Sequence, residues 1–238
     1  MNPPNGTDSR PQAAQPDTQR AEAVLAAYRS GLFPMAVPTR PGRPPELGWY
    51  EADPRGIIPL DAFHLPRRLA RTIRTAPFDV RSDTDFAAVI RACADPCRPG
   101  GWIDPWIIDT FELLHRLGHA HSIEAWRTTA KGGAPALVGG LYGLCVGGAF
   151  CAESMFSRPH CGGRDASKVC LAHLVAHLRR RGFTLLDTQA WSEHLAQFGC
   201  VEVPRAEYRR RLRAALAFSP DWGRFEPDRT LATLTTTP

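Results

Sequence analysis

Asp187 lies at the carboxyl end of a short apolar run, Phe183 to Thr188, that follows a helix stop at Gly182 and reads as a buried strand, with Gln189 two residues on from it. Ligands of open α/β sheets bind beyond the carboxyl ends of the strands, so a carboxylate at this place is well positioned for chemistry. The spacing of two puts Gln189 on the same face of the strand as Asp187. A structural Asp capping the following loop is the competing reading of the same residue. Glu153, inside Cys151-Ala-Glu-Ser-Met-Phe-Ser157, is a second carboxylate in an apolar run. It suits recognition of a cation through charge-assisted hydrogen bonds; the alternative is a Glu buried against Arg158 or Arg164.

Two further groupings resemble metal ligands by type: Cys93 with Cys97, and His173 with His177 at i and i+4. Neither has a matching second pair, so they are expected to be core thiols and helix-surface histidines, with no metal site. His119 and His121 straddle the start of a strand and are assigned a structural role.

Residues 1–19 are polar, rich in Pro, Gln, Asn and Asp, and are expected to form a disordered tail. Ala23, Val24, Ala27 and Tyr28 recur at helical spacing before Ser30-Gly31, and Val37 to Pro45 reads as a loop. Leu47–Tyr50 and Gly56–Leu60 are expected to pair around the Asp53-Pro54 turn. Leu65, Leu69 and Ile73 then fall four apart, while Arg67, Arg71 and Arg74 occupy the opposite side of the same helix. By itself such a stripe is an ordinary solvated face or a phosphate contact.

Phe78–Val80 reads as a short strand. Helices are expected after Asp85, with Phe86, Val89, Ile90 and Cys93 inward, and between Asp104-Pro105 and Gly118. Ser122–Arg127, Ala136–Leu144 and Ala149–Met155 are expected to form an antiparallel meander, and a helix from about Asp165 to Arg181 precedes the strand over Phe183–Thr188. Helices, three antiparallel strands, a helix and a strand follow the order of an acetyltransferase-like (GNAT-type) superfold. The expected class is therefore α/β (α+β): a mixed sheet flanked by helices, with a small N-terminal domain over 20–76, the larger domain over 77–220 and a C-terminal tail over 221–238.

At 238 residues and 43% hydrophobic composition the chain can bury a normal core. Seven cysteines at irregular spacing, without a signal-like amino terminus, point to a reducing compartment, and no apolar run approaches the roughly 20 residues needed to cross a bilayer. A cytoplasmic protein with no membrane partner is expected. The net charge of +5 is compatible with an anionic partner without requiring one. All bases but Lys131 and Lys168 are Arg, which suits bidentate phosphate contacts, although a GC-rich genome gives the same bias.

The runs GHAHSIEAW, GGLYGLCVGGAFCAESMFSR, DASK and RGFTLLDTQ, with LGWYEADPRG, GGWI and VEVPRAEY, resemble the leucyl/phenylalanyl-tRNA–protein transferases over about Ala21 to Arg213. These bacterial enzymes move Leu or Phe, and less well Met, from tRNA onto proteins beginning with Arg or Lys, marking them for degradation. The resemblance implies the same larger-domain fold, aminoacyl-tRNA as donor and no cofactor; a monomer is expected. It implies Asp187 and Gln189 as the catalytic pair, with Asp187 fixing the Gln189 amide, and Glu153 with Ser154 beside the substrates. Leu141, Phe150, Met155 and Leu186 would line the donor side-chain pocket, Phe111 would stand near it, and Trp49 and Trp102 would stack on the terminal adenosine or flank the entrance. The stripe Arg67, Arg71 and Arg74 would track tRNA phosphates.

Departures from the family pattern include Met35 after Phe-Pro, Phe111 for a Tyr, a longer loop at Pro159–Arg164, Asp165 before Ala-Ser-Lys, and Ser192-Glu193. An acyl-CoA N-acyltransferase on the same fold is the rival enzyme. Its pyrophosphate loop needs a glycine where Cys161 stands. A tRNA-binding protein without transfer activity is the rival of another class.

Overall fold

In the computed structural model the described residues are 17–37, 45–75, 77–97, 101–128, 132–228 and 231. The elements in chain order are α1 (Asp17–Arg29), β1 (Phe33–Val37), β2 (Glu46–Tyr50), β3 (Arg55–Ile58), α2 (Arg67–Arg74), β4 (Asp79–Ser82), α3 (Phe86–Cys93) and α4 (Pro105–Arg116). They continue with β5 (Ala120–Arg127), β6 (Ala136–Val146), β7 (Ala149–Ser157), α5 (Ala166–Arg181), β8 (Leu185–Gln189), α6 (Glu193–Ala196), β9 (Val201–Val203) and α7 (Arg205–Leu216). Asp17–Gln19, expected to lie in a disordered tail, begin α1, and residues 1–16 lie outside the described set. The buried face of α1 is Ala21, Val24, Leu25 and Tyr28, so Ala23 and Ala27, expected on that face, are not part of it.

Local signals set the helix ends. Asp85 and Asp104 cap α3 and α4 by accepting the amides of Ala88 and Ile107 at 2.9 and 2.8 Å, and Gly182 ends α5 at φ +80°. Seven strands form one mixed sheet in the order β4-β5-β6-β7-β8-β3-β9, antiparallel except for the β7–β8 pair, and β1 and β2 form a separate hairpin. The expected meander is β5-β6-β7, consistent with the acetyltransferase-like reading.

The expected pairing of Leu47–Tyr50 with Gly56–Leu60 does not occur: β2 pairs with β1, and β3 lies between β8 and β9. Burial explains the difference. All four residues of β3 are buried, which demands neighbours on both edges, while β2 is partly exposed throughout. Thus β3, though within 20–76, belongs to the large sheet.

The sheet divides two apolar layers. On one side Ile57, Tyr142, Leu144, Cys151 and Leu185 pack with α1, α3, α4 and α7; on the other Ile58, Ile123, Leu141, Phe150 and Leu186 pack with α2 and α5. Residues 221–228, within the expected C-terminal tail, lie against the second layer, where Trp222 stacks on His121 at 4.2 Å and is flanked by His177. His173 and His177, expected on a helix surface, are buried beneath this segment, and Asp228 donates its backbone amide to His173 Nδ1 at 3.2 Å. Burial pushes both histidines down to about 4. Cys93 is buried, whereas Cys97, expected in the core, is exposed. Among the described residues no helix is long and apolar enough to cross a membrane.

Candidate active site

The parallel pairing of β7 and β8 covers only Ala149↔Leu185, Phe150↔Leu186 and Cys151↔Asp187, although both strands continue. Just beyond it β7 bulges. Tyr142 of β6 faces Ser154 and Gly143 faces Ala152, so Glu153 is the extra residue. A bulge re-aims the side chain it carries and bends its strand. Gly143 is needed opposite it, because a Cβ there would lie 2.4 Å from both the Cys151 carbonyl oxygen and the Phe150 ring. Where the two strands part, Gln189 Nε2 donates to Glu153 Oε1 at 3.1 Å.

Asp187 is fully buried and held from every side. Arg55 grips it with a two-pronged contact, Nε to Oδ1 at 2.9 Å and Nη2 to Oδ2 at 2.7 Å, and the Tyr208 hydroxyl donates to Oδ2 at 2.8 Å. The backbone amide of Gln189 donates to Oδ1 at 2.9 Å. Arg55 is itself enclosed: Nη1 donates to the Gly31 carbonyl at 3.0 Å, and the guanidinium lies 4.8 Å from the Phe33 ring centre and 4.5 Å from that of Tyr208. Burial alone would lower the Arg55 pKa, but the Asp187 carboxylate holds it above its ordinary value. Burial, reinforced by Asp187, likewise raises the Tyr208 hydroxyl.

Asp187 thus accepts two hydrogen bonds on each oxygen. It fixes Gln189 through the backbone amide, and Glu153 holds the side-chain amide; the expected contact from Asp187 to the Gln189 side chain is replaced by these two. Gln189 adopts φ +56°, unusual for a residue with a side chain, and a bulge in the β3–β8 ladder falls beside it. Gly56 makes room: a Cβ there would lie 2.6 Å from the Ala190 carbonyl carbon. Since Nε2 is given to Glu153, the Gln189 carbonyl oxygen is the end of the amide that can accept a hydrogen bond.

Burial raises the Glu153 carboxyl to about 8; Tyr28 opposes this, the Asp187 charge adds to it and Arg55 opposes it. The Tyr28 hydroxyl is buried beside Glu153 without closing a hydrogen bond of good geometry. Neither Arg158 nor Arg164 is the hydrogen-bond partner of Glu153.

Asp187, Gln189 and Glu153 therefore converge. The other expected residues divide between the two layers. Leu141, Phe150 and Leu186 are buried on the α5 side with Met155 packed beside them, while Phe111 is buried on the opposite side against Tyr28 and Tyr142, with Trp102 packed on the same layer. Ser154 is partly buried opposite Tyr142. Trp49, 41% exposed on β2, meets Trp106 edge to face at 6.5 Å. Arg67, Arg71 and Arg74 are exposed on α2, while Leu69 and Ile73 face the core.

Asp83, His115 and His121 form a group with potential metal-ligand atoms within 4.8 Å of one another. The Nδ1 atoms are already hydrogen-bonded, His121 Nδ1 to Asp83 and His115 Nδ1 to the Ala120 carbonyl, each at 2.8 Å, while His121 Nε2 is buried without a hydrogen-bond partner among the described residues. An open cavity of about 360 Å³, lined by Arg81, Ser82, Trp222 and Phe225 among others, lies beside this group and includes no residue of the strand-end site.

Residue-by-residue reading of the sequence missed Arg55, Tyr208 and Tyr28. The first two stand in LGWYEADPRG and VEVPRAEY, runs that carry the family resemblance, so the signal was present without a role attached.

A mixed sheet with two carboxylates and an amide converging where parallel strands part defines an α/β protein with a polar cluster at its strand ends. Residues 57–213 match the family model described as leucyl/phenylalanyl-tRNA protein transferase, and residues 20–53 match that of its N-terminal domain. Curated relatives named leucyl/phenylalanyl-tRNA–protein transferase include one from Paramagnetospirillum magneticum, 51% identical over 83% of this chain and 89% of the relative. Another from Gloeobacter violaceus is 50% identical over 84% and 95%, and one from Rubrobacter xylanophilus is 52% identical over 82% and 94%. The chain belongs to this family of aminoacyltransferases.

Proposed function

We propose that this protein transfers Leu or Phe, and less well Met, from aminoacyl-tRNA to the terminal Arg or Lys of acceptor proteins in the cytoplasm, as a monomer and without a cofactor, marking them for degradation. The observation that carries the site assignment is the doubly pinned Gln189: its backbone is tied to Asp187 and its side chain to Glu153. An amide held in one orientation is suited to a reaction that needs positioning more than a strong base.

The donor is an ester, already activated. The acceptor α-amine has an ordinary pKa of about 7.7 to 8.0, so part of it is neutral at cellular pH. Gln189 accepts a hydrogen bond from that amine and aims its lone pair at the ester carbonyl. The C–N bond forms, the bond to the ribose oxygen breaks, the nitrogen loses one proton and the ribose oxygen gains one. Glu153 faces the cationic side chain of the acceptor, whose arrival favours the ionised carboxylate.

Arg67, Arg68 and Arg71 are exposed without an ion pair among the described residues, whereas Glu51 pairs with Arg205 and Arg209 of α7, and Glu207 with Arg210 and Arg211. This contrast favours α2 as the face for tRNA phosphates.

The test is transfer of labelled Leu or Phe from charged tRNA to peptides beginning with Arg or Ala, with Asp187→Ala as control. Label on the Arg peptide alone, lost in the variant, is expected; binding of charged tRNA without transfer would replace this reading with the binding-only one.

A further inference from the structure

We propose that Arg55 and Tyr208 are positioning residues for aminoacyl transfer, fixing the Asp187 carboxylate so that it can hold Gln189 in its left-handed backbone conformation. This rests on the assignment of Gln189 to the reacting centre. A glutamine at φ +56° persists only where its surroundings over-determine it. The tie is the bond from the Gln189 amide to Asp187 Oδ1. A carboxylate held on one edge alone could rotate about χ2 and release that bond. Here Arg55 contacts both oxygens, and Tyr208 adds a second donor to Oδ2.

The clamp is itself immobilised from distant parts of the chain. The Gly31 carbonyl just after α1, the Phe33 ring of β1 and the Tyr208 ring of α7 enclose the guanidinium of β3, so segments from early and late in the chain meet on the side chain that grips the Asp187 carboxylate of β8. Tyr208 thus acts twice, through its ring on Arg55 and its hydroxyl on Asp187. Lysine at 55 would keep the charge and lose the planar fork that spans both oxygens.

Steady-state transfer kinetics on Tyr208→Phe, in the wild-type and Gln189→Ala backgrounds, test this. The phenylalanine keeps the ring and removes one hydrogen bond, so kcat is expected to fall about tenfold while KM for donor and acceptor stays within about twofold. In the Gln189→Ala background the same substitution should change kcat little, because the group it positions is gone. Arg55→Lys, with its folded fraction checked by circular dichroism, should lower kcat further in the wild-type background and be similarly muted in Gln189→Ala. An unchanged kcat in Tyr208→Phe, or an equal fall in both backgrounds, would overturn the positioning role while leaving the Gln189 assignment standing. Full activity of Gln189→Ala itself would remove that assignment and this inference together.

Discussion

Glu124 and Asp187 are both fully buried carboxylates, and the molecule satisfies them by different means. Glu124 has four neutral donors: the amides of Thr84 and Asp85 at 2.9 Å, the Ser122 hydroxyl at 2.8 Å and the Trp126 indole at 2.7 Å. It ties the β4–α3 turn to β5 inside a closed part of the fold. Asp187 has a buried cation, and one of its bonds goes to a residue at positive φ where two strands separate. Burial of a carboxylate therefore does not mark a site; what distinguishes Asp187 is the residue at positive φ that it restrains.

The largest expected contrast is between Asp187→Asn and Glu124→Gln. The first leaves the buried Arg55 charge without its counter-ion, which typically costs about 3–5 kcal/mol, and should also abolish transfer. The second should cost about 1–3 kcal/mol for an imperfectly satisfied buried group while leaving transfer per folded molecule near wild type. Urea unfolding and single-turnover rates together separate the two.

Gly56→Ala attacks the same site from its neighbour. Its Cβ must displace the Ala190 backbone, so transfer should fall by about 10²-fold while the unfolding midpoint moves less than in Asp187→Asn.

A smaller effect is set by pH. The Glu153 carboxyl, raised to about 8 by burial, carries more negative charge as pH rises through that value, so the acceptor KM for an Arg peptide should fall between pH 6.5 and 8.5. Neutralisation of the acceptor amine also contributes over this range. Only the difference between wild type and Glu153→Gln reports the carboxylate, and that difference should shrink with an Ala peptide. The stability sign is opposite: the folded pKa lies above the unfolded one, so the Glu153 contribution is full below about 4.5 and lost as pH rises through about 8.

The smallest effect concerns charge at the surface. Arg67→Ala with Arg71→Ala should weaken charged-tRNA binding and reduce its log–log salt slope by about 1 to 2, whereas Arg210→Ala, whose partner is Glu207, should change the slope little.

Much of this was legible in the sequence because it is local. Asp85, Asp104 and Gly182 announced their helix ends, the Gly turns announced β5-β6-β7, and the apolar run after Gly182 placed Asp187 at a strand end. What was not legible depends on contacts between distant segments. The partners of β3 follow from the sheet as a whole, Arg55 meets Asp187 across 132 residues, and His173 and His177 are met by Asp228, Trp222 and Phe225 from far along the chain. The bulge at Glu153 was hidden because an extra residue in one strand shows only against its partner. Motif resemblance located both GHAHSIEAW and DTQ and implied a catalytic pair in the second, but it attached no role to Glu124, whose four donors show only in the fold.

The most direct test of the central claim is the single-turnover rate of Phe transfer, with enzyme saturated by charged tRNA, in Gln189→Ala beside Glu124→Gln, each normalised to its folded fraction. The account predicts a loss of about 10² or more for Gln189→Ala and a change within about threefold for Glu124→Gln. Equal losses in the two variants, or a wild-type rate in Gln189→Ala, would contradict it.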